Sequence, residues 1–261
     1  MLSEQLVRSA AEAAGLRAAA IVIQPLDAGD PGVRIDPDSA LYPASMIKVP
    51  LAMVAYQDIE DGRLEPDRRF EVTPANMTFN DRPSPLVPGY RSTVRELIEL
   101  MITISDNVAT NMFFDILGRE RATHIAQNTF GLRGTAFHRK LSGSEPLIVD
   151  PGWTSGVRNT HPPGDAARAF ELLARDRVPH ADALRATLGR QQFNDMLDLG
   201  LAPGDRFYHK TGGTDEVAHD GGILATAEGR SYVLVVYTGL PSSDASSAKF
   251  GPFAHRIREM L

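Results

Sequence analysis

The segments of this chain that read as β-strands lie at its two ends, and the stretch between them reads as helix or loop. Near the start, residues 18–23 form a continuous apolar run of strand length, and residues 32–35 support a shorter second strand. Near the end, residues 207–211, 221–225 and 231–238 read as three more, with Glu228-Gly229 as the turn that makes the last two a hairpin. Helices are expected over residues 4–14, stopped by Gly15, and from Pro252 onward, burying Phe253, Ile257 and Met260. Strands this far apart in sequence complete a sheet only if the termini meet. The chain is therefore expected to be α+β: a mostly antiparallel sheet built from both chain ends, flanked by terminal helices, with an inserted all-helical lobe. The α/β lobe would take residues 1–40 and 203–261 and the helical lobe residues 41–202, within one domain.

The helical middle has its own signals. Residues 46–56 are apolar almost all round and predict a buried helix, although Pro50 near its start is awkward for a regular first turn. Thr93-Val94-Arg95-Glu96 is a capping box opening a helix that buries Leu97, Ile98, Leu100, Met101 and Ile104. Residues 108–117, ended by Gly118, and residues 163–176 and 181–199 supply further helical segments. Residues 83–88 and 142–163 are Pro/Gly-rich and aperiodic, hence loops, and a loop as long as the second is often functional.

Composition narrows the function classes. With 27 Lys and Arg against 33 Asp and Glu, the net charge of -6 offers no basic footprint for nucleic acid or an anionic membrane surface. The absence of cysteine excludes disulfides, thiolate metal sites and a cysteine nucleophile. Histidines are scattered without metal-ligand spacing, so no metal or other cofactor is expected. The first apolar run is too short to span a bilayer, and the N-terminus lacks the layout of a secretory signal. The location expected is cytoplasmic if Met1 is the native start, and secreted or periplasmic if a signal was removed.

Three short motifs carry chemistry. In Ser45-Met46-Ile47-Lys48 the lysine lies one helical turn after the serine, on the same side, and is the one charged residue from Met46 to Tyr56. An amine in such apolar company loses proton affinity and suits a base for the serine hydroxyl. The plainer reading is a capping serine and a lysine reaching out to solvent. Ser105-Asp106-Asn107 falls at a junction of two helices, where a hydroxyl can relay a proton and an amide can hold a carbonyl, or where both simply cap a helix. Lys210-Thr211-Gly212, followed by Gly213, lies on a strand whose glycines let a substrate backbone approach, or is an edge-strand lysine before a turn. One given triplet arises by chance ~0.05 times in a chain of this length at average residue usage, so all three in order are improbable by accident.

Together these motifs resemble the signature of class A serine β-lactamases and penicillin-binding proteins, and the 60-residue step from Ser45 to Ser105 is similar to theirs. The resemblance implies a β-lactamase/transpeptidase-like fold with Ser45 as the acylated nucleophile and Lys48 as its proton acceptor. It further implies that Ser105 passes a proton to the leaving nitrogen, that Asn107 orients Lys48 and substrate, and that Lys210 and Thr211 bind the substrate carboxylate. Gly212 gives the strand edge its close approach, and the N–H groups of Ser45 and Gly213 form the oxyanion hole. The substrate implied is a small-molecule β-lactam, or an acyl-D-amino-acid peptide or ester as for a D-alanyl carboxypeptidase or esterase; the remaining alternative is a non-catalytic penicillin-binding module that keeps the fold and captures ligands reversibly.

Two departures stand out. The family's deacylating glutamate sits in a Glu-x-x-Leu-Asn loop; Glu145-Pro146-Leu147-Ile148-Val149 keeps Glu-Pro but not the leucine and asparagine, and comes later than the family spacing. Asn159-Thr160-His161-Pro162-Pro163 is similar to the loop exit of relatives that lack that glutamate. Slow deacylation is therefore expected. After the third motif, Asp215-Glu216-Val217-Ala218-His219-Asp220 replaces a segment that carries an arginine for the substrate carboxylate; His219 is left as either a substitute or a structural residue.

Overall fold

The computed structural model describes residues 2–27, 31–142, 150–154 and 156–261. Helix α1 (Glu4–Ala13) leads to strands β1 (Ala20–Pro25) and β2 (Val33–Ile35). A 3-10 turn, Ala44–Ile47, opens the middle section and runs into α2 (Lys48–Glu60). A two-stranded ribbon, β3 (Arg69–Glu71) with β4 (Arg91–Thr93), precedes α3 (Val94–Thr103), α4 (Asn107–Leu117), α5 (Arg119–Asn128), α6 (Pro151–Thr154), α7 (Pro163–Ala174) and α8 (Ala181–Leu188). The chain returns through β5 (Arg206–Gly213), β6 (Ala218–Ala225) and β7 (Ser231–Thr238) to α9 (Asp244–Ser247) and α10 (Phe250–Met260).

The two ends meet as the strand pattern requires. The sheet order is β2-β1-β7-β6-β5, every pairing antiparallel, and β1 from the N-terminal end lies beside β7 from the C-terminal end. Strand β7 is apolar along nearly its whole length because both faces of the sheet are covered. Alternation divides its residues: Val233, Val235 and Tyr237 join the core formed with the middle helices. Leu234 and Val236 join the second core, with Val7 of α1 and Phe253 and Ile257 of α10. The architecture is thus α+β, with helices of the middle section on one face and the terminal helices on the other.

Several boundaries differ from the sequence reading, each for a local reason. Pro50 proves harmless: α2 begins at Lys48, so the proline falls in the first turn, where its missing N–H has no intrahelical partner to lose. The segment expected as helix over residues 181–199 is α8 only as far as Leu188; Gly189 caps it, and a 3-10 turn, Leu197–Gly200, comes after. Helix α10 starts at Phe250, two residues before Pro252. Helix α5 is short and largely polar and strands β3 and β4 have three residues each, so none of them carries a periodic signal in the sequence.

Gly200 sits where this 3-10 turn meets α10. A Cβ there would collide with the Gly251 carbonyl oxygen and come within 2.6 Å of the His255 nitrogen, both backbone atoms with no rotamer to yield. Gly200→Ala is expected to destabilise the fold by about 1–3 kcal/mol, the range for overpacking a tight site. Urea denaturation reads this directly; an unchanged midpoint would show that α10 shifts without cost.

Candidate active site

Ser45 lies in the 3-10 turn immediately before α2, held in a constrained backbone. Its predecessor Ala44 has φ 48, the left-handed region that a residue with a Cβ rarely adopts, and the Met46 N–H donates to the Pro43 carbonyl at 3.1 Å. Gly212 of β5 presses on the same turn. A Cβ on it would stand 3.0 Å from the Pro43 oxygen and 3.1 Å from the nitrogens of Ser45 and Met46, tight enough to push the turn back by a few tenths of an ångström.

One helical turn on, Lys48 is completely buried, and its Nζ lies 2.9 Å from Ser45 Oγ. The amine also donates to the Ser105 carbonyl at 2.6 Å and to Asn107 Oδ1 at 2.7 Å, and lies 3.0 Å from Ser105 Oγ. The orientation of the Asn107 amide is set at its other end, where Nδ2 donates to the Phe79 carbonyl at 2.8 Å. Burial drives the Lys48 pKa well below that of an ordinary lysine and the neighbouring Lys210 charge lowers it further, while Asp106 and Asp81 work in the opposite direction. A neutral amine has two N–H donors and one lone pair. In that form Ser105 O and Asn107 Oδ1, which can only accept, would take both donors and leave the lone pair for a serine hydroxyl, an arrangement that can serve a general base.

Ser105 also has a positive φ, 57, just before α4. Asp106 caps that helix by accepting from the Ala109 N–H at 2.8 Å, while Ser105 and Asn107 turn toward Lys48. Asp106 thus takes the capping place in this triplet, while Ser105 and Asn107 contact Lys48. From β5, Lys210 Nζ donates to Ser105 Oγ at 3.0 Å and to the Thr211 carbonyl at 2.9 Å. Burial lowers its pKa to about 7 against the pull of Asp220 and Asp81. Ser105 Oγ thus lies between two amines, and the three motifs converge on one point.

They open on a cleft of about 520 Å³ lined by Ser45, Ser105, Asn107, Thr211, Gly212 and Gly213, with Tyr42, Phe79 and Trp153 among its other walls. Another wall carries Leu141, whose backbone Asn111 clamps at both groups: Leu141 N–H donates to Oδ1 at 2.7 Å and Nδ2 donates to its carbonyl at 2.8 Å. Glu145 lies outside the described residues. No group of three or more His, Cys, Asp or Glu among the described residues is placed to hold a metal, and none of the helices described is long and apolar enough to cross a membrane.

The segment after the third motif leaves Asp215 at the cleft and turns His219 and Asp220 away from it. Asp220 is buried away from the cleft, bonding His209 Nδ1 at 2.8 Å and the Leu197 N–H at 3.0 Å. Glu216 is paired with Arg158 at 2.7 Å, and the Arg158 guanidinium lies 4.1 Å from the centre of the Tyr42 ring. Arg158 therefore brings a cation to the cleft from a distant loop. His219 is fully buried, with both ring nitrogens engaged by backbone, so it is no substitute carboxylate binder. Tyr42, Phe79, Leu141 and Arg158 do not stand out in the sequence; of these only Tyr42, three residues before Ser45, carries a positional hint.

Residues 1–257 match the Beta-lactamase enzyme family. Among curated relatives, the beta-lactamase regulatory protein BlaB of Streptomyces cacaoi is 26% identical, over 87% of this chain and 88% of that protein. The extended-spectrum beta-lactamase PER-1 of Pseudomonas aeruginosa is 22% identical, over 78% of this chain and 69% of its own length. Among solved structures, PBP-A superposes with a TM-score of 0.83 at 23% identity, covering 98% of this chain and 96% of its own. A beta-lactamase from Sphaerobacter thermophilus gives 0.80 at 25% identity, with the same coverage. With its three motifs assembled around a buried amine, this chain belongs to the beta-lactamase enzyme family.

Proposed function

We propose that the protein is a serine hydrolase that opens β-lactams through an acyl-Ser45 intermediate and releases the acyl group slowly. The observation that carries the reading is the contact of 2.9 Å between a buried, proton-poor Lys48 amine and Ser45 Oγ. As Ser45 Oγ attacks the lactam carbonyl, its proton moves to Lys48 Nζ. The oxyanion is held by the N–H groups of Ser45 and Gly213, each worth about 3–4 kcal/mol in comparable sites. The C–N bond then breaks, and the nitrogen takes a proton from the Ser105 hydroxyl, which Lys48 and Lys210 flank and resupply. Thr211 and the Lys210 ammonium bind the substrate carboxylate, and Asn107 holds the acyl side chain.

Slow release is supported by the wall that bears Leu141. It lies 36 residues after Ser105, a shorter step than that to Glu145, and it brings an aliphatic side chain to the cleft. A structural neighbour, a leucine-to-glutamate mutant of PBP-A, is an acyl-enzyme complex with penicillin G, at 24% identity and a TM-score of 0.83. The same wall favours a second reading, in which acyl-D-amino-acid peptides or esters are the working substrates and β-lactams trap the enzyme. Efficient turnover of D-Ala-D-Ala peptides or p-nitrophenyl esters, beside feeble β-lactam hydrolysis, would select it.

Three outcomes test the proposal. Intact-protein mass spectrometry with penicillin G is expected to show a persistent adduct that Ser45→Ala abolishes; no adduct and no hydrolysis of any β-lactam would refute it. Leu141→Glu is expected to accelerate loss of that adduct on the order of 10²-fold, the lower range for an added general base; an unchanged lifetime would clear Leu141 of responsibility. Lys210 is charged below about pH 7 and neutral above it. The KM for a carboxylate-bearing penicillin should therefore rise as pH climbs past that value, whereas that of an uncharged ester should not; parallel profiles would remove Lys210 from carboxylate binding.

A further inference from the structure

His219 belongs to none of the three motifs and lies outside the cleft, yet it bonds the segment that carries the nucleophile. It is fully buried in β6, opposite Gly212 on one side and Tyr237 on the other, with its ring stacked 4.0 Å from the Tyr237 ring and inclined by 7°. The Thr238 N–H points at its Nδ1 at 3.1 Å. A backbone N–H can only donate, so Nδ1 accepts and the ring proton sits on Nε2. That N–H lies 2.8 Å from the carbonyl oxygen of Tyr42. The sheet backbone thus fixes the tautomer, and the tautomer directs a donor at the residue three before Ser45.

The turn between Tyr42 and Ser45 needs holding. Pro43 has its carbonyl bound by the Met46 N–H, and Ala44 sits at φ 48, a conformation that persists in a residue with a Cβ only when its surroundings enforce it. Gly212 supports the turn from β5 by van der Waals contact, and His219, its register partner on β6, supports it through a directed hydrogen bond. On the side-chain side of the same residue, the Tyr42 ring lies under the Arg158 guanidinium. We propose that His219 is a positioning residue for acylation: by holding the Tyr42 carbonyl it keeps Ala44 left-handed, and so fixes Ser45 Oγ against Lys48 and the Ser45 N–H toward the oxyanion. This rests on the reading of Ser45 as the acylated nucleophile.

The test uses the full chain and a fluorophosphonate probe, whose labelling of Ser45 saturates with concentration and so separates binding from the chemical step. H219A is expected to slow the chemical step at least about tenfold, since small displacements of reacting groups cost rate steeply, with the apparent dissociation constant changed by less than about twofold. H219Q, with an amide N–H for Tyr42 and an amide oxygen for Thr238, is expected to recover most of the loss. Adding A44G to H219A should restore part of it, because glycine adopts that φ without a steric cost. A merely structural histidine would leave the chemical step intact in folded H219A, or leave H219Q as slow as H219A; either result overturns the inference. Should H219A lose its near-UV circular dichroism, H219L keeps the ring's bulk without its nitrogens and is judged by the same two criteria. A parent protein that does not label at Ser45 would bring down the functional reading and this inference together, whereas a labelled parent with unaffected variants brings down this inference alone.

Discussion

A lysine amine buried beside a serine hydroxyl is an unfavourable thing to build, and most of the site can be understood as the set of contacts that makes it tolerable. Removing an ammonium from water costs several kcal/mol, so the group sheds its proton and satisfies its donors locally. Lys48 follows this pattern: burial lowers its pKa well below that of an ordinary lysine, its amine donates to Ser105 O and Asn107 Oδ1, and Ser45 Oγ lies 2.9 Å away. The apolar circumference of α2 serves the same end, because no side of that helix offers the amine a route to water. Asn107 is held in turn, with its amide on the Phe79 carbonyl and its backbone N–H donating to Asn80 Oδ1 at 2.6 Å.

The sheet supplies the other half of the geometry. Strand β5 brings Lys210 to Ser105 from the side opposite Lys48, and Gly212, two residues on, meets the nucleophile turn backbone to backbone. Behind β5, β6 contributes Asp220, whose charge counters the burial of Lys210, and His219, which reaches through to Tyr42. Joining the first strand to the last three makes these contacts possible: residues more than 150 apart in the chain meet across a rigid layer, which holds a site more precisely than loops would.

Legibility in the sequence depends on whether a residue's role is local. The strands at both ends, the buried α2 and the three motifs are readable because each is a contiguous pattern, and the pairing of Ser45 with Lys48 comes from helical periodicity alone. Pro50 reads as awkward in the sequence because a 3-10 turn shifts the helix start to Lys48, a difference of register that propensity does not report. The end of α8 at Leu188 is hidden because apolar residues continue past it into a separate 3-10 turn. Leu141 and Arg158 carry no local signal at all; they matter through the Asn111 clamp and through Tyr42, contacts spanning 30 residues and more than 100 respectively. For His219 the sequence leaves open a carboxylate binder or a structural residue, and only the fold shows that backbone groups engage both its nitrogens.

The central claim is that burial leaves the Lys48 amine far less basic than an ordinary lysine. Nitrogen NMR of the lysine side chains, with the Lys48 signal assigned through Lys48→Arg, tests it without any substrate. The Lys48 Nζ resonance is expected to titrate well below the range of an ordinary lysine side chain in water, because burial penalises its charged form. A Lys48 signal that titrates in the range of an ordinary lysine would contradict it.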